Sequence, residues 1–400
     1  MKNKLVVFGI VASIFISCER DDTSDIVITD NSVTTINNTT GNEDGNEEET
    51  VLLTPASGSI TENLTLEASK EYIINGATIV AAGAVLTIEP GTVIKAEAGP
   101  NVYLAVEQGA QIIANGTSSN PIIFTSNSTT PSAGDWGGII LLGRAPVNSV
   151  TGSSTATSEI GNLPYGGNIA DDNSGILRYV RVQYSGGAAD GQSENNGFSF
   201  YGVGSGTTIE YIQAFEGADD GIEFFGGTVN ASFLVVVNAE DDSIDWTEGY
   251  NGTITDAYVL QGNGIGDEAF ECDGFNTDFT NASGAFSNPT VTNVTIESES
   301  GANDSTRGFL LRAGTQGTFS NILIIGKNTG ISVDDDEAST PTSSGILDGT
   351  LSFTDVTFTD VTTNASIDGT ATEADLLTGI GNGTGTNISS WGAGWTAGIN

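Results

Sequence analysis

An all-β fold, a right-handed parallel β-helix, is predicted by three features of the sequence. Short β-favouring runs broken by Gly, Asn and Asp fill the chain from Gly76 onward, and none shows helical periodicity for more than a turn or two. Small residues recur at Gly197, Gly221, Ser243, Ala269, Gly308 and Gly330, at spacings of 24, 22, 26, 39 and 22 residues. That is a solenoid coil of twenty-odd residues with one longer insertion. The third feature is a pair of apolar positions after each small residue.

The first of these positions holds Phe198, Ile222, Ile244, Phe270, Phe309 and Ile331, and two further on stand Phe200, Phe224, Trp246, Cys272, Leu311 and Val333. Residues two apart on a strand share a face, so both sets belong inside as stacked columns. Upstream, Gly76-Ala77-Thr78-Ile79-Val80 and Ala84-Val85-Leu86-Thr87-Ile88-Glu89-Pro90-Gly91-Thr92-Val93-Ile94 read as the first coils.

The same register sets the outward columns. Ser199, Glu223, Asp245, Glu271, Leu310 and Ser332 lie between the two buried sets, and Tyr201, Phe225, Thr247, Asp273, Arg312 and Asp334 come after the second. Just before the small residue come Asn196, Asp220, Asp242, Glu268, Arg307 and Thr329, with Asp219, Asp241 and Asp267 one step earlier. Adjacent coils are about 4.8 Å apart. Neighbouring carboxylates at that distance repel by about 0.9 kcal/mol in water and about 3.5 kcal/mol at an effective dielectric of 20. Three arrangements relieve this. Arg307 and Arg312 neutralise the column, or the side chains splay into solvent, or a hard cation such as Ca²⁺ binds six to eight oxygens from among Asp219, Asp220, Glu223, Asp241, Asp242, Asp245, Asp267, Glu268, Glu271 and Asp273.

Composition excludes other chemistries. The 400 residues include 11 Lys and Arg, 51 Asp and Glu and no His, a net charge of −40. Without imidazole there is no Ser-His-Asp or Cys-His nucleophile and no histidine metal ligand. A surface this acidic repels phosphate, so no nucleic-acid partner is expected. Only 16% of residues are charged, and 17 Phe, 9 Tyr and 4 Trp supply a large core, unlike an acidic disordered protein.

At the start, Lys2 and Lys4 precede an apolar run from Leu5 to Ile16, too short to span a membrane and organised like a secretory signal. Phe15-Ile16-Ser17-Cys18 resembles a bacterial lipobox, which implies a signal peptide over residues 1–17 and lipidation of Cys18. Glu19-Arg20-Asp21-Asp22 resembles the surface-export signal of Bacteroidota outer-membrane lipoproteins, which implies a lipid anchor in the outer membrane facing the cell exterior. Residues 18–55 are acidic and poor in apolar side chains, with Asn42-Glu43-Asp44-Gly45-Asn46-Glu47-Glu48-Glu49 the densest run. They read as a disordered tether ahead of a β-helix domain over residues 56–400.

Two enzyme families with this fold offer comparisons. Arg312 beside Glu271 and Asp273 resembles the pectate-lyase constellation, in which stacked acids hold Ca²⁺ and an arginine is the catalytic base. Asp219-Asp220 and Asp241-Asp242 are superficially similar to the paired acids of polygalacturonases, but that family's Gly-His-Gly segment is impossible here. A broader resemblance rests on Gly134-Asp135-Trp136-Gly137-Gly138-Ile139-Ile140-Leu141-Leu142-Gly143-Arg144-Ala145-Pro146, on Phe198-Ser199-Phe200-Tyr201-Gly202-Val203-Gly204-Ser205-Gly206-Thr207, and on Glu223-Phe224-Phe225-Gly226-Gly227-Thr228-Val229. These segments resemble a family of Bacteroidota β-helix lipoproteins. The closing Trp391-Gly392-Ala393-Gly394-Trp395-Thr396 is similar to that family's tail, which implies that its aromatics close the last coil. Some members carry a multidrug-transporter label, yet after the signal no apolar run here is long enough to cross a bilayer as a helix.

These resemblances imply a surface binding or accessory module that captures a glycan, a metal complex or another nutrient beside a TonB-dependent transporter. A Ca²⁺-dependent polysaccharide lyase using Arg312 and a structural adhesin are the alternatives. The segments Val147 to Gly175 and Asp273 to Asn288 are long enough to carry a ligand site.

Overall fold

A computed structural model of the chain describes residues 25–28, 34–37, 50–189, 193–276, 284–301, 306–335 and 339–399. Cys18, the signal segment and most of the acidic tether lie outside these.

Coils stack in parallel to form the β-helix. One face is an eleven-stranded parallel sheet with one strand per coil, from Ser59–Ile60 at one end to Thr363–Ile367 at the other. The other two faces merge into a seventeen-stranded sheet, because from Gly175–Gln183 onward single long strands bend around the corner between them. Gly175–Gln183 pairs along its first half with Gln111–Asn115 and along its second with Ile122–Ser126.

The register matches the sequence columns coil for coil. Phe198, Ile222, Ile244, Phe270, Phe309 and Ile331 are successive partners, as are Phe200, Phe224, Trp246, Cys272, Leu311 and Val333. All twelve are fully buried. Aromatic rings fill the lumen in contact, with Phe200 against Phe224 at 5.2 Å, Phe270 on Phe309 at 4.7 Å and Phe319 on Phe353 at 4.1 Å. The small residue that opens each coil answers to a close approach. A Cβ on Gly221 would come within 2.6 Å of the Ser243 carbonyl oxygen and 2.5 Å of a Val236 methyl.

A left-handed residue turns the corner in each long strand. Tyr179, Tyr211, Phe233, Asp256, Asn293, Asn321 and Asp355 occupy this position, with φ between 50° and 60°. The ladder pairs the residues on either side, as in Glu210 with Ser232 and Ile212 with Leu234. Asn and Asp tolerate this conformation, whereas Tyr and Phe are outliers in it.

Three expectations require correction. The tether was expected to reach residue 55 without structure, but strands occur at Asp25–Ile28 and Thr34–Asn37, and Thr50–Leu52 already pairs in parallel with Glu71–Ile74. Val51 and Leu53 are buried, so this apolar alternation extends the solenoid by one strand. Trp391 and Trp395 do not close the last coil. The helices α1 (Ser343–Asp348) and α2 (Glu373–Leu376) cover that end, with Ile346, Leu376 and Leu377 buried in the main core, while the tryptophans lie back along the flank beside Val235, Val237 and Tyr258. Lastly, the segment Val147 to Gly175 is not an open loop. It carries an antiparallel pair, Thr155–Thr157 with Pro164–Gly166, and seats Ile160 and Tyr165 on the outer side of the eleven-stranded sheet against Tyr103, Ile140, Tyr201 and Phe225.

Trp246 sits in the middle of the lumen column, with its indole N–H on the Thr315 hydroxyl at 3.2 Å. Trp246→Ala is expected to destabilise the fold by about 3–5 kcal/mol in chemical denaturation, the range for an aromatic truncated in a packed core.

A buried acidic column as the candidate functional site

The parallel register brings Ser199, Glu223, Asp245, Glu271, Leu310 and Ser332 into one outward column. Outward does not mean solvated here. Tyr165 packs on Tyr201 at 4.9 Å and Tyr201 stacks on Phe225 at 3.9 Å, so the covering segment shields the sheet. Asp245 keeps only 8% of its surface and Asp273 6%. Splaying into solvent therefore does not describe Asp245, whereas Glu223 and Glu271 are half-buried and Asp241 and Asp267 exposed.

A second acidic column has a structural task. The Asp242 backbone N–H donates to Asp220 Oδ1 at 3.0 Å, the Glu268 N–H to Asp242 Oδ1 at 2.6 Å, and the Arg307 N–H to Glu268 Oε2 at 2.7 Å. Each carboxylate thus staples its coil to the next. Charge-assisted bonds of this kind are among the stronger ones available.

Compensation by arginine is confined to the downstream coils. Arg307 Nη1 donates to Glu268 Oε1 at 2.8 Å. Arg312 reaches Asp273 Oδ1 through Nε and Glu271 Oε2 through Nη2, both at 2.7 Å. Burial alone would lower the Arg312 pKa, but Asp273 and Glu271 outweigh it and raise it, so the guanidinium is fixed in its charged form. Upstream, none of Asp219, Asp220, Glu223, Asp241, Asp242 and Asp245 has an ion-pair partner among the described residues.

That upstream end gathers two oxygen clusters that share Asp220. Carboxylate oxygens of Asp219, Asp220 and Asp241 lie within 4.8 Å of one another, as do those of Asp220, Glu223 and Asp245. Oxygens bound to one Ca²⁺ at about 2.3–2.6 Å can stand up to about 5 Å apart, so both sets suit a single ion. In the inner set Asp245 Oδ1 is buried without a hydrogen-bond partner, whereas Glu223 accepts from Asn196 Nδ2 at 2.5 Å. Asp242, Asp267, Glu268, Glu271 and Asp273, expected as further ligands, fall outside both clusters. The backbone or the arginines hold all of these except Asp267.

Burial and mutual repulsion push these acids toward their neutral forms. Asp219 rises to about 8, first through desolvation and then through Glu194, Asp241 and Glu159. Glu271 rises to about 7, with desolvation outweighing Arg312. Asp220, Glu223, Asp242 and Asp245 are all raised, burial first and neighbouring carboxylates next. Sequence reasoning missed Glu159 and Glu194, whose charges reach the site from irregular segments outside any coil register. It also missed Glu248, buried at a corner with φ 57°, which accepts from the Tyr165 hydroxyl at 2.7 Å and Asn276 Nδ2 at 2.9 Å and so anchors the covering segment.

Residues 58–396 match the family model of the pectate-lyase-like beta helix domain, and the chain belongs to that family. A solved structure, the A-module of an Azotobacter vinelandii mannuronan C-5 epimerase, is similar at 11% identity and a TM-score of 0.40, over 81% of this chain and 91% of that one. No curated protein matches the chain.

The raised carboxyls give stability a pH signature. A carboxyl whose folded pKa lies above its unfolded value of about 4 contributes most below that value and loses its contribution as pH rises through the folded pKa. The chelated protein is therefore expected to lose melting temperature from about pH 5 to about pH 8. Asp219→Asn should flatten that decline, and a melting temperature that rises through the window would contradict the assignment.

Proposed function

We propose that this chain is a cell-surface lipoprotein of the outer membrane whose β-helix is a binding module, with a Ca²⁺-class cation held by Asp220, Glu223 and Asp245. The observation that carries the cation is Asp245 Oδ1, buried without a donor in a cluster whose oxygens lie within 4.8 Å. A buried carboxyl without a donor has to keep its proton or gain a cation, and a divalent ion offsets the charge of the ionised form directly. Such an ion supplies positive charge at the face of an otherwise acidic molecule, where it bridges to an anionic or hydroxyl-rich glycan. Asp219 and Asp241 flank the site, and exposed Asp241 offers the open side.

Anchoring rests on the sequence, through the lipobox cysteine Cys18 and the acidic segment after it. On this reading the module works beside a TonB-dependent transporter, capturing a glycan, metal complex or other nutrient. The adhesin alternative keeps the same anchor and requires no ligand.

The polysaccharide-lyase alternative asks Arg312 to act as a base. Its geometry argues against that role, since a guanidinium gripped at 2.7 Å by two carboxylates has its donors committed and its proton held. A general base has to release its lone pair near the operating pH.

Metal analysis and thermal unfolding test the reading together. Bound Ca²⁺ is expected to raise the melting temperature by several degrees over the chelated protein, and Asp245→Asn should remove most of that rise. Absence of bound ion with identical melting curves would overturn it. Incubation with polyuronates should release no unsaturated sugars, and a product that disappears in Arg312→Ala would restore the lyase. For the anchor, Cys18→Ala should move the protein from the membrane fraction to the soluble one.

A further inference from the structure

The column of left-handed corner residues splits in two. Four coils use Asp or Asn there, and three use Tyr179, Tyr211 and Phe233, side chains of a size that adopts this conformation only with strain. The rings stack, Tyr179 on Tyr211 at 4.3 Å and Tyr211 on Phe233 at 4.2 Å. Lumen packing does not explain them, because Tyr179 and Tyr211 belong to a separate cluster on the flank and Phe233 meets Tyr211 and Trp391 there.

Along this same column runs the segment from Gly379 to Ile399, antiparallel to the direction in which the coils advance. Asn382 Nδ2 donates to Asp355 Oδ1 at 3.2 Å, the Thr384 N–H to Asn321 Oδ1 at 2.7 Å, and the Thr386 hydroxyl to Asp256 Oδ1 at 2.8 Å. Beyond Asp256 the contacts turn aromatic. Trp391 stands edge-on to Phe233 at 5.3 Å, and Trp395 edge-on to Tyr211 at 6.0 Å and Tyr179 at 5.7 Å. Trp395 is fully buried.

At its far end the segment is read by its backbone. Gln213, itself fully buried, donates to the Ala397 carbonyl at 2.8 Å and accepts from the Ala397 N–H at 2.7 Å. Arg181 Nη1 donates to the Trp395 carbonyl at 2.7 Å.

We infer that the corner column is a docking track whose occupant is the chain's own segment 379–399, and that this strap couples coils that are not neighbours. Solenoid repeats otherwise interact only with adjacent repeats and can fray locally. A strap touching the corners at Asp355, Asn321, Asp256, Phe233, Tyr211 and Tyr179 makes the coils from 175 to 359 open together. The strained aromatic corners hold its tryptophans, and releasing the strap exposes a three-ring face. This inference stands whether or not the acidic column binds a cation.

Amide hydrogen exchange on the full chain tests it, with Trp395→Ala and Tyr211→Asn as variants. Asn is the residue that other coils use at the corner, so Tyr211→Asn removes the ring without straining the backbone. Both variants are expected to raise exchange at least tenfold in residues 384–397. They should raise it too in the strands Gly175–Gln183, Thr208–Phe215 and Asn230–Val237, while Leu104–Val106 and Gln111–Asn115 hold their protection. Strap exchange that rises alone would make the segment a passive cover and overturn the coupling. So would a strap that stays protected in Tyr211→Asn, or a loss of protection spread evenly over all coils.

Discussion

Coil-to-coil backbone hydrogen bonding in a fixed parallel register governs the rest of this molecule. Because each coil sits about 4.8 Å above the last, a residue chosen once is presented again and again at that spacing. Apolar columns gain from this, as the Phe200, Phe224 and Trp246 column does, since every ring finds another apolar side chain above and below. Acidic columns suffer from it, and the molecule has to answer the repulsion at each level.

Its answers differ by column. Asp220, Asp242 and Glu268 turn their charge to use by accepting the backbone N–H of the next coil. Glu271 and Asp273 share Arg312. Glu223 and Asp245 have neither remedy: Glu223 accepts from Asn196, the two carboxyls hydrogen-bond each other, and Asp245 Oδ1 is buried without a donor. Two means remain for that pair, a proton shared between the carboxyls or a cation between them. The shared proton fails as pH rises, whereas a divalent ion binds more tightly as the carboxyls ionise.

The solenoid was legible because periodicity is a local property repeated many times. Phe198 to Ile331 could be aligned by spacing alone, and the structure pairs them as aligned. The outward acids were legible by the same register, yet their burial was not, since the segment carrying Tyr165 that covers them has no repeat of its own. The strap escaped for a related reason. Trp391 and Trp395 carry no coil period, and nothing in a Tyr or Phe side chain announces a left-handed backbone, as an Asn would. Helices α1 and α2 close the end where the tryptophans were expected because Ile346, Leu376 and Leu377 arrive there first in the chain.

The central claim is that the pair Glu223 and Asp245 is completed by a cation. Anomalous diffraction from crystals grown with a lanthanide, at a pH near 8, tests it most directly. The account predicts one strong peak about 2.3–2.6 Å from oxygens of Asp220, Glu223 and Asp245, with Arg312 still seated on Glu271 and Asp273. A map without a peak there, with the Glu223 and Asp245 carboxyls still hydrogen-bonded to each other, would contradict it.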